Sequence, residues 1–386
     1  MPSILRAKVR RELLQWAREQ SNLTVEAAAR KIGVSPEALG SWEAGTAQPT
    51  IKQLRKAAHV YHFSLAVFFL AAPPASTFQP IRDFRHLPGA GLRGIGPELH
   101  MAIRDAQDKR DSALELFSAL EESPTAFAFR SSTNDDSEAT ALNLRDYLEV
   151  TDEEQSRWRE PQRAFAAIRM KLETKGVLVF QATRIPLEEM RGFAVHADEL
   201  PVVVVNRADS AAGRLFSVIH ETTHLSLGGS GLCNVAEREP AHAGGIEAFC
   251  NHTAGAFLVP REALLAHPLV RSRASEWTLP ELDRLVTRFG ASRFVIVRRL
   301  FTLRQISRAV FERLTEQLEE AFARTPRRTG YLSPAMNVVS LSGNVLPALV
   351  LQAYGAEKIS ASTVASYLDV KLKHLPDIRS ALDRTI

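Results

Sequence analysis

Only two cysteines, Cys233 and Cys250, occur in 386 residues. That excludes a disulfide framework and fits a reducing cytoplasm. Long apolar runs are missing as well. The longest, Leu65 to Ala72, is far short of the roughly 20 residues that cross a bilayer. Met1 to Leu14 has charges spread along it and no apolar core, unlike a secretory signal. No internal repeat or low-complexity tract stands out. These absences lead to the expectation of a cytoplasmic protein with no membrane partner.

What remains is an ordinary globular composition, 45% hydrophobic and 24% charged. The length suggests two or three domains. A net charge of +4 permits nucleic acid without demanding it. The charge is uneven. Through residue 60 there are 10 basic and 5 acidic side chains, a net of +5, so the remainder is slightly acidic. A nucleic-acid face is therefore expected at this end.

The chain is organised around residues 211–225, which contain His220-Glu221-Thr222-Thr223-His224. On a helix, two histidines four apart share one face, where one Zn²⁺ ion can take both imidazoles. Glu221 follows the first histidine and is placed to serve as general base of a metallopeptidase. The blander reading is a helix with two ordinary histidines satisfied by neighbours.

A catalytic zinc needs a third protein ligand. Glu247 leads, because it opens an apolar helix, Ile246 to Leu258, that stops at Pro260. Glu237, Glu239 and His242 stay open as alternatives. Asn251, four residues on, could hold Glu247 or a histidine in place. Cys233 and Cys250 read better as small buried hydrophobes than as ligands. His196 and His242 are weak oxyanion candidates.

At the N-terminus, residues 4–22 read as a basic amphipathic helix. Thr24 caps a second helix, Gly33 makes a turn, and Ser35 caps a third that begins at Pro36. A further helix is expected from Thr50 to Tyr61. This spacing is that of a helix–turn–helix. The segment resembles the XRE (phage-repressor type) family through Leu23-Thr24, Ala29 to Ser35, Ser41 to Gly45 and Pro49-Thr50 with Gln53-Leu54. The resemblance implies a five-helix DNA-binding domain over about residues 8–68, with the helix at 36–43 in the major groove. Thr24, Lys31, Ser35, Ser41 and Lys52 are the candidate DNA contacts. Two departures weaken base reading: Val25 replaces a frequent glutamine, and Pro36 to Gly45 holds no Lys or Arg. The alternative is a helical module for protein contact.

Further along, residues 71–98 read as a connector, 99–122 as a helix, and 131–160 as a loop plus a short, mostly solvated helical stretch. Phe165 to Lys175 reads as a helix. Val177 to Phe180, Arg191 to Val195 and Pro201 to Asn206 read as strands. In zinc peptidases of this layout an edge strand can pair with an extended substrate, and Val202 to Val205 could do so or be a plain core strand. Residues 276–322 read as arginine-studded solvated helices, 326–344 as a loop, and Val345 to Tyr354 and Ser360 to Leu368 as helices.

Residues 176–260 resemble the ImmA/IrrE family of metallo-endopeptidases. The motifs are Arg191-Gly192-Phe193, Pro201 to Asn206, Phe216 to His224, Glu247 with Cys250-Asn251, and Leu258-Val259-Pro260. Phe69-Leu70 through Pro73-Pro74, Asp83-Phe84-Arg85 and the tail from Leu349 to His374 extend the likeness to members fused to a helix–turn–helix. The resemblance implies a Zn²⁺ cofactor held by His220, His224 and Glu247, with Glu221 as base. It also implies a protein substrate, a helix–turn–helix repressor or related regulator, and it leaves room for a homodimer. Thr222-Thr223 replaces a glycine the family often carries. The expected fold is mainly α with a small β-sheet. It divides into a helix–turn–helix domain (1–70), a connector and helical segment (71–150), an α+β zincin-like metallopeptidase domain (151–325) and a small helical C-terminal region (326–386). The competing function is a DNA-binding regulator or antitoxin-like protein whose zinc fold is sensory or structural.

Overall fold

The computed structural model describes residues 6–74, 82–83, 96–228, 231–233, 245–272, 277–324 and 332–383; for 82–83, 231–233 and 322–324 it describes the backbone. The chain forms two compact units, residues 1–80 with 91–105, and residues 81–90 with 106–386.

The first unit contains α1 (Arg11–Gln20), α2 (Val25–Ile32), α3 (Pro36–Glu43), α4 (Ile51–Tyr61), a 3-10 turn (Leu65–Phe69) and the start of α5 (Pro97–Ala119). Local chemistry sets the boundaries. The Thr24 hydroxyl accepts from the Ala27 N–H, and the Ser35 hydroxyl accepts from the Ala38 N–H. Gly33 ends α2 at φ 80°, a left-handed conformation that glycine adopts freely. Thr50 and Gln53 form a reciprocal capping box on α4. The helix expected from residue 4 starts only at Arg11. Residues 6–10 run extended along 48–50, with the Ala7 N–H donating to Pro49 O and the Val9 N–H to Gln48 Oε1. From α5, Arg104 donates to the carbonyls of Tyr61 and His62 and lies over the Phe63 ring.

The second unit is built on a five-stranded sheet in the order β1 (Arg82–Asp83), β5 (Gly231–Cys233), β3 (Gly192–Val195), β4 (Val202–Asn206), β2 (Leu178–Ala182). β4 runs parallel to β2 and antiparallel to β3, and β3 is antiparallel to β5. The three expected strands are present; β1 and β5 are too short to show a strand pattern. β4 is an interior strand, so the edge role considered for Val202 to Val205 fails. Its backbone groups are already bonded on both sides.

Around the sheet lie α6 (Ser137–Tyr147), α7 (Asp152–Trp158), α8 (Pro161–Thr174), α9 (Ala211–Ser226) and α10 (Ile246–Leu258). There follow α11 (Arg261–Ala266), α12 (Pro268–Arg271), α13 (Leu279–Phe289), α14 (Arg293–Thr302) and α15 (Arg308–Arg324), then α16 (Pro334–Ser342), α17 (Val345–Gly355), α18 (Ala361–Leu368) and α19 (Leu375–Asp383). The architecture is mainly α with a small sheet, as expected. Val179, Ala194, Val203 and Val205 share one core with Leu215, Val218 and Ile219 of α9. Among the described residues no single helix is long and apolar enough to cross a membrane.

Residues 131–160 are mostly exposed, as expected, although α6 packs on α10 and buries Ala141, Leu144 and Arg145. Two local expectations change. Residues 334–342 form a helix with a Ser333 cap and a proline at its start, where a loop was expected. Arg299 is not a solvated arginine. It is buried in α14, bonded to Val259 O and bidentate to Glu138.

Candidate metal centre

Ser210 caps α9 by accepting from the Gly213 N–H at 3.0 Å. The helix is then buried from Leu215 to Ser226. Placing hydroxyls inside a core requires partners, and the two threonines find them locally. Thr222 donates to Val218 O at 2.6 Å and Thr223 to Ile219 O at 2.9 Å. Both are bonds back to the preceding turn. The Thr222-Thr223 departure therefore costs the helix no unsatisfied group.

The imidazoles of His220 and His224 meet with their Nε2 atoms 3.1 Å apart. Glu247, in the first turn of α10, brings Oε2 to 3.3 Å from His220 Nε2 and Oε1 to 3.0 Å from His224 Nε2. All three residues are buried and can offer ligand atoms to one metal ion. A tetrahedral ion with bonds of about 2.0–2.1 Å has ligand–ligand edges of about 3.3 Å, so the donor set fits zinc by spacing and by atom type. Phe216 covers the His220 ring at 6.1 Å between centroids.

The electrostatics favour ligand forms. Burial lowers the pKa of His224, which keeps a ring nitrogen unprotonated. Burial alone would raise the pKa of Glu247. Hydrogen bonds from His220 and His224 outweigh it and hold the carboxyl well below the usual range, as an anion. The Cys250 thiol is pushed far up by burial first, then by Glu247 and Glu221, so it stays protonated and behaves as a small hydrophobe.

Glu221 is 1% exposed. A Cβ built on Gly192 of β3 would lie 2.8 Å from its Oε1. Asn251 lies one turn beyond Glu247 but does not bond it; its enclosed Oδ1 has no partner among the described residues. Nδ1 of His220 is likewise enclosed and unbonded. The alternatives Glu237, Glu239 and His242, together with Phe84, Arg85 and the Cys233 side chain, lie outside the described residues. His196 is half-buried just beyond β3.

α10 is fixed at its other end by side chains that motif reading did not single out. The last carbonyls of a helix have no partner within it. Here Arg145 donates to Phe257 O, Gln155 to Leu258 O and Arg299 to Val259 O. The only sequence cue was Pro260, which marks where those carbonyls fall free.

Of the candidate DNA contacts, Thr24 and Ser35 are helix caps, and the half-buried Ser41 donates to Ala38 O. Lys31 Nζ is 2.7 Å from Glu98 Oε1, and Lys52 is exposed on the first turn of α4. Glu43, acidic on the would-be reading helix, is turned into a bidentate pair with Arg18.

Comparison with known proteins matches two segments. Residues 14–68 match the helix-turn-helix family HTH_3, and residues 173–301 match the IrrE N-terminal-like domain, Peptidase_M78. No curated protein and no solved structure matches the chain. The cluster of His220, His224 and Glu247 falls inside the second segment and the capped α2–turn–α3 pair inside the first: the chain joins a helix-turn-helix domain of the XRE type to an IrrE/ImmA-like peptidase domain.

Proposed function

We propose that the chain is a DNA-associated regulator with zinc-dependent endopeptidase activity that cleaves a helix–turn–helix repressor or a related regulatory protein. The observation that carries this reading is that two imidazoles, from the α9 turn that also holds Glu221, meet the Glu247 carboxylate from α10. His220, His224 and Glu247 would hold a zinc ion, which would supply Lewis-acid polarisation of an amide carbonyl and a more acidic water. Glu221 takes the proton of the attacking water and delivers it to the leaving amine. Asn251, on the next turn of α10, makes no bond to the three ligands and is not needed for this reading. Residues 1–70 supply DNA binding, with α3 toward the major groove and phosphate contacts from Lys52, Lys31 and the helix-start hydroxyls of Thr24 and Ser35. Residues 151–325 supply the chemistry.

The test is co-expression with helix–turn–helix repressors encoded beside it, comparing the parent with Glu221→Gln. Zinc content should be equal in the two, and cleavage should disappear in the variant. Equal cleavage by both would refute the mechanism. Equal zinc with no cleavage by either would leave a regulator whose zinc is sensory or structural.

A further inference from the structure

Gly192 opens β3 without a left-handed φ, so the backbone does not require glycine there. Successive strand residues face opposite sides. Gly192 and Ala194 therefore share the side whose Ala194 packs into the core with α9. Opposite them in register, β4 places Val205 and Val203 on that same core. The row facing α9 is thus full-sized on β4 and reduced to glycine and alanine on β3.

What fills the space is Glu221. A Cβ at position 192 would lie 2.8 Å from Glu221 Oε1, 3.0 Å from Cγ and 3.2 Å from Cδ. These distances are inside the roughly 3.5–4.0 Å optimum for such contacts. β3 cannot easily withdraw to make room. Gly192 is paired with Val205 on one side and Cys233 on the other. The preceding residue is clamped too: Arg191 O accepts from the Asn206 N–H, and Arg191 Nη1 reaches Asp209 Oδ2 at 2.7 Å, directly before the Ser210 cap of α9. With strand and helix start tied together, the atoms that must yield to a side chain at 192 are those of Glu221.

We infer that Gly192 is a positioning residue whose missing side chain forms the slot that fixes the Glu221 carboxylate on the turn carrying both histidines. Its effect on cleavage rests on the peptidase reading above; the slot itself does not. A methyl group in the slot leaves His220, His224 and Glu247 in place and displaces only the base. A misplacement of this kind costs about 10- to 100-fold in rate.

The experiment is a cycle of four full-length proteins: parent, Gly192→Ala, Glu221→Ala and the double variant. Each is loaded with Zn²⁺ for metal content and with Co²⁺ for its visible spectrum, and each is melted with and without metal. All four should bind one equivalent of metal. Gly192→Ala should shift the Co²⁺ bands and the melting midpoint in the parent, and leave both unchanged once Glu221 is already alanine. With a cleavable repressor, Gly192→Ala should lower kcat and spare KM. Equal shifts in both backgrounds, or none in either, would overturn the inference. If Gly192→Ala proves insoluble, the double variant must regain solubility; insolubility of both counts against the slot. A parent that cleaves nothing refutes the peptidase reading while the spectral and thermal cycle still decides the slot.

Discussion

Replacing Arg299 with methionine tests how the metal helix pair is held. Arg299 is 3% exposed; its Nε donates to Val259 O at 3.0 Å and its Nη atoms grip Glu138 at 2.6 and 2.9 Å. Methionine keeps most of the stem and removes every donor. The buried Val259 carbonyl is then orphaned, at a cost of about 1–3 kcal/mol. The Glu138 side chain keeps 27% exposure, so water recovers part of its loss, and the pair adds only about 1 kcal/mol. The sum of about 2–4 kcal/mol corresponds to a fall of about 5–10 °C in the melting midpoint of the zinc-responsive transition. The control is Arg293→Met, which breaks a surface pair with Asp283 whose members are 37% and 48% exposed; it should cost under about 1 kcal/mol. Calorimetry of both variants, with and without zinc, makes the comparison. Zinc affinity should weaken in Arg299→Met, because Glu247 rides on the opposite end of the same helix. Equal midpoint shifts for the two variants would mean that the last carbonyls of α10 need no side-chain partners, and the argument for its anchoring would fail.

Other expectations follow from the same contacts. The His224 and Glu247 pKa values are both lowered in the fold, so on acidification the unfolded chain takes up protons first. The stability they contribute to the chelated protein should be complete above about pH 6.5 and decline below it, the histidine first and the carboxylate later; midpoints that hold steady or rise on acidification would contradict the sign. Lys52→Ala should weaken DNA binding across sequences and lower the salt slope by about 1. Lys31→Ala should do less, since its ammonium is engaged by Glu98; fluorescence anisotropy across a salt series separates them, and an unchanged slope removes Lys52 from the interface. Changing His220, His224 and Glu247 together to leucine should abolish the zinc response and give a midpoint at or above that of the chelated parent, because well-packed apolar groups match or exceed a buried polar cluster by about 0–4 kcal/mol. A lower midpoint would make the cluster part of what holds the fold.

Legibility in the sequence follows the range of the interactions. Thr24, Ser35 and the Thr50–Gln53 pair act within three residues, so the first unit's helix starts can be read from the chain. His220 and His224 act within one turn, so their convergence is readable too. Glu247 needed the added clue of an apolar helix opening on a carboxylate. Burial of α6 depends on α10, about a hundred residues later, and the acidic flanks of α6 pointed to solvent. Arg145 and Arg299 look like surface arginines until the free carbonyls of α10 are placed beside them. β1 and β5 span two and three residues, too few for any alternation to show. Gly192 stood within a motif of the resemblance, but its reason lies in a side chain 29 residues away in the chain.

The polar groups inside α9 divide into two kinds. Thr222, Thr223 and Ser226 are neutral and satisfied by carbonyls within a turn, so they ask nothing of the rest of the molecule. Glu221 is different, and so is Glu247 of α10: both are carboxylates, at 1% and 4% exposure. Two carboxylates in one apolar core are strongly disfavoured as anions unless positive charge accompanies them. Two neutral imidazoles contribute lone pairs but no charge, whereas a divalent cation balances both carboxylates. A purely structural zinc site closes its coordination with four side chains, most often cysteine and histidine. Here three ligand residues converge among those described, and Glu221 is not one of them. Burying Glu221 therefore adds a cost that metal retention does not require, and β3 gives up a side chain at Gly192 to accommodate it. The proposed function gives that buried carboxylate a use that packing and the three described ligand residues do not: as the base it would carry the proton from water to the leaving amine.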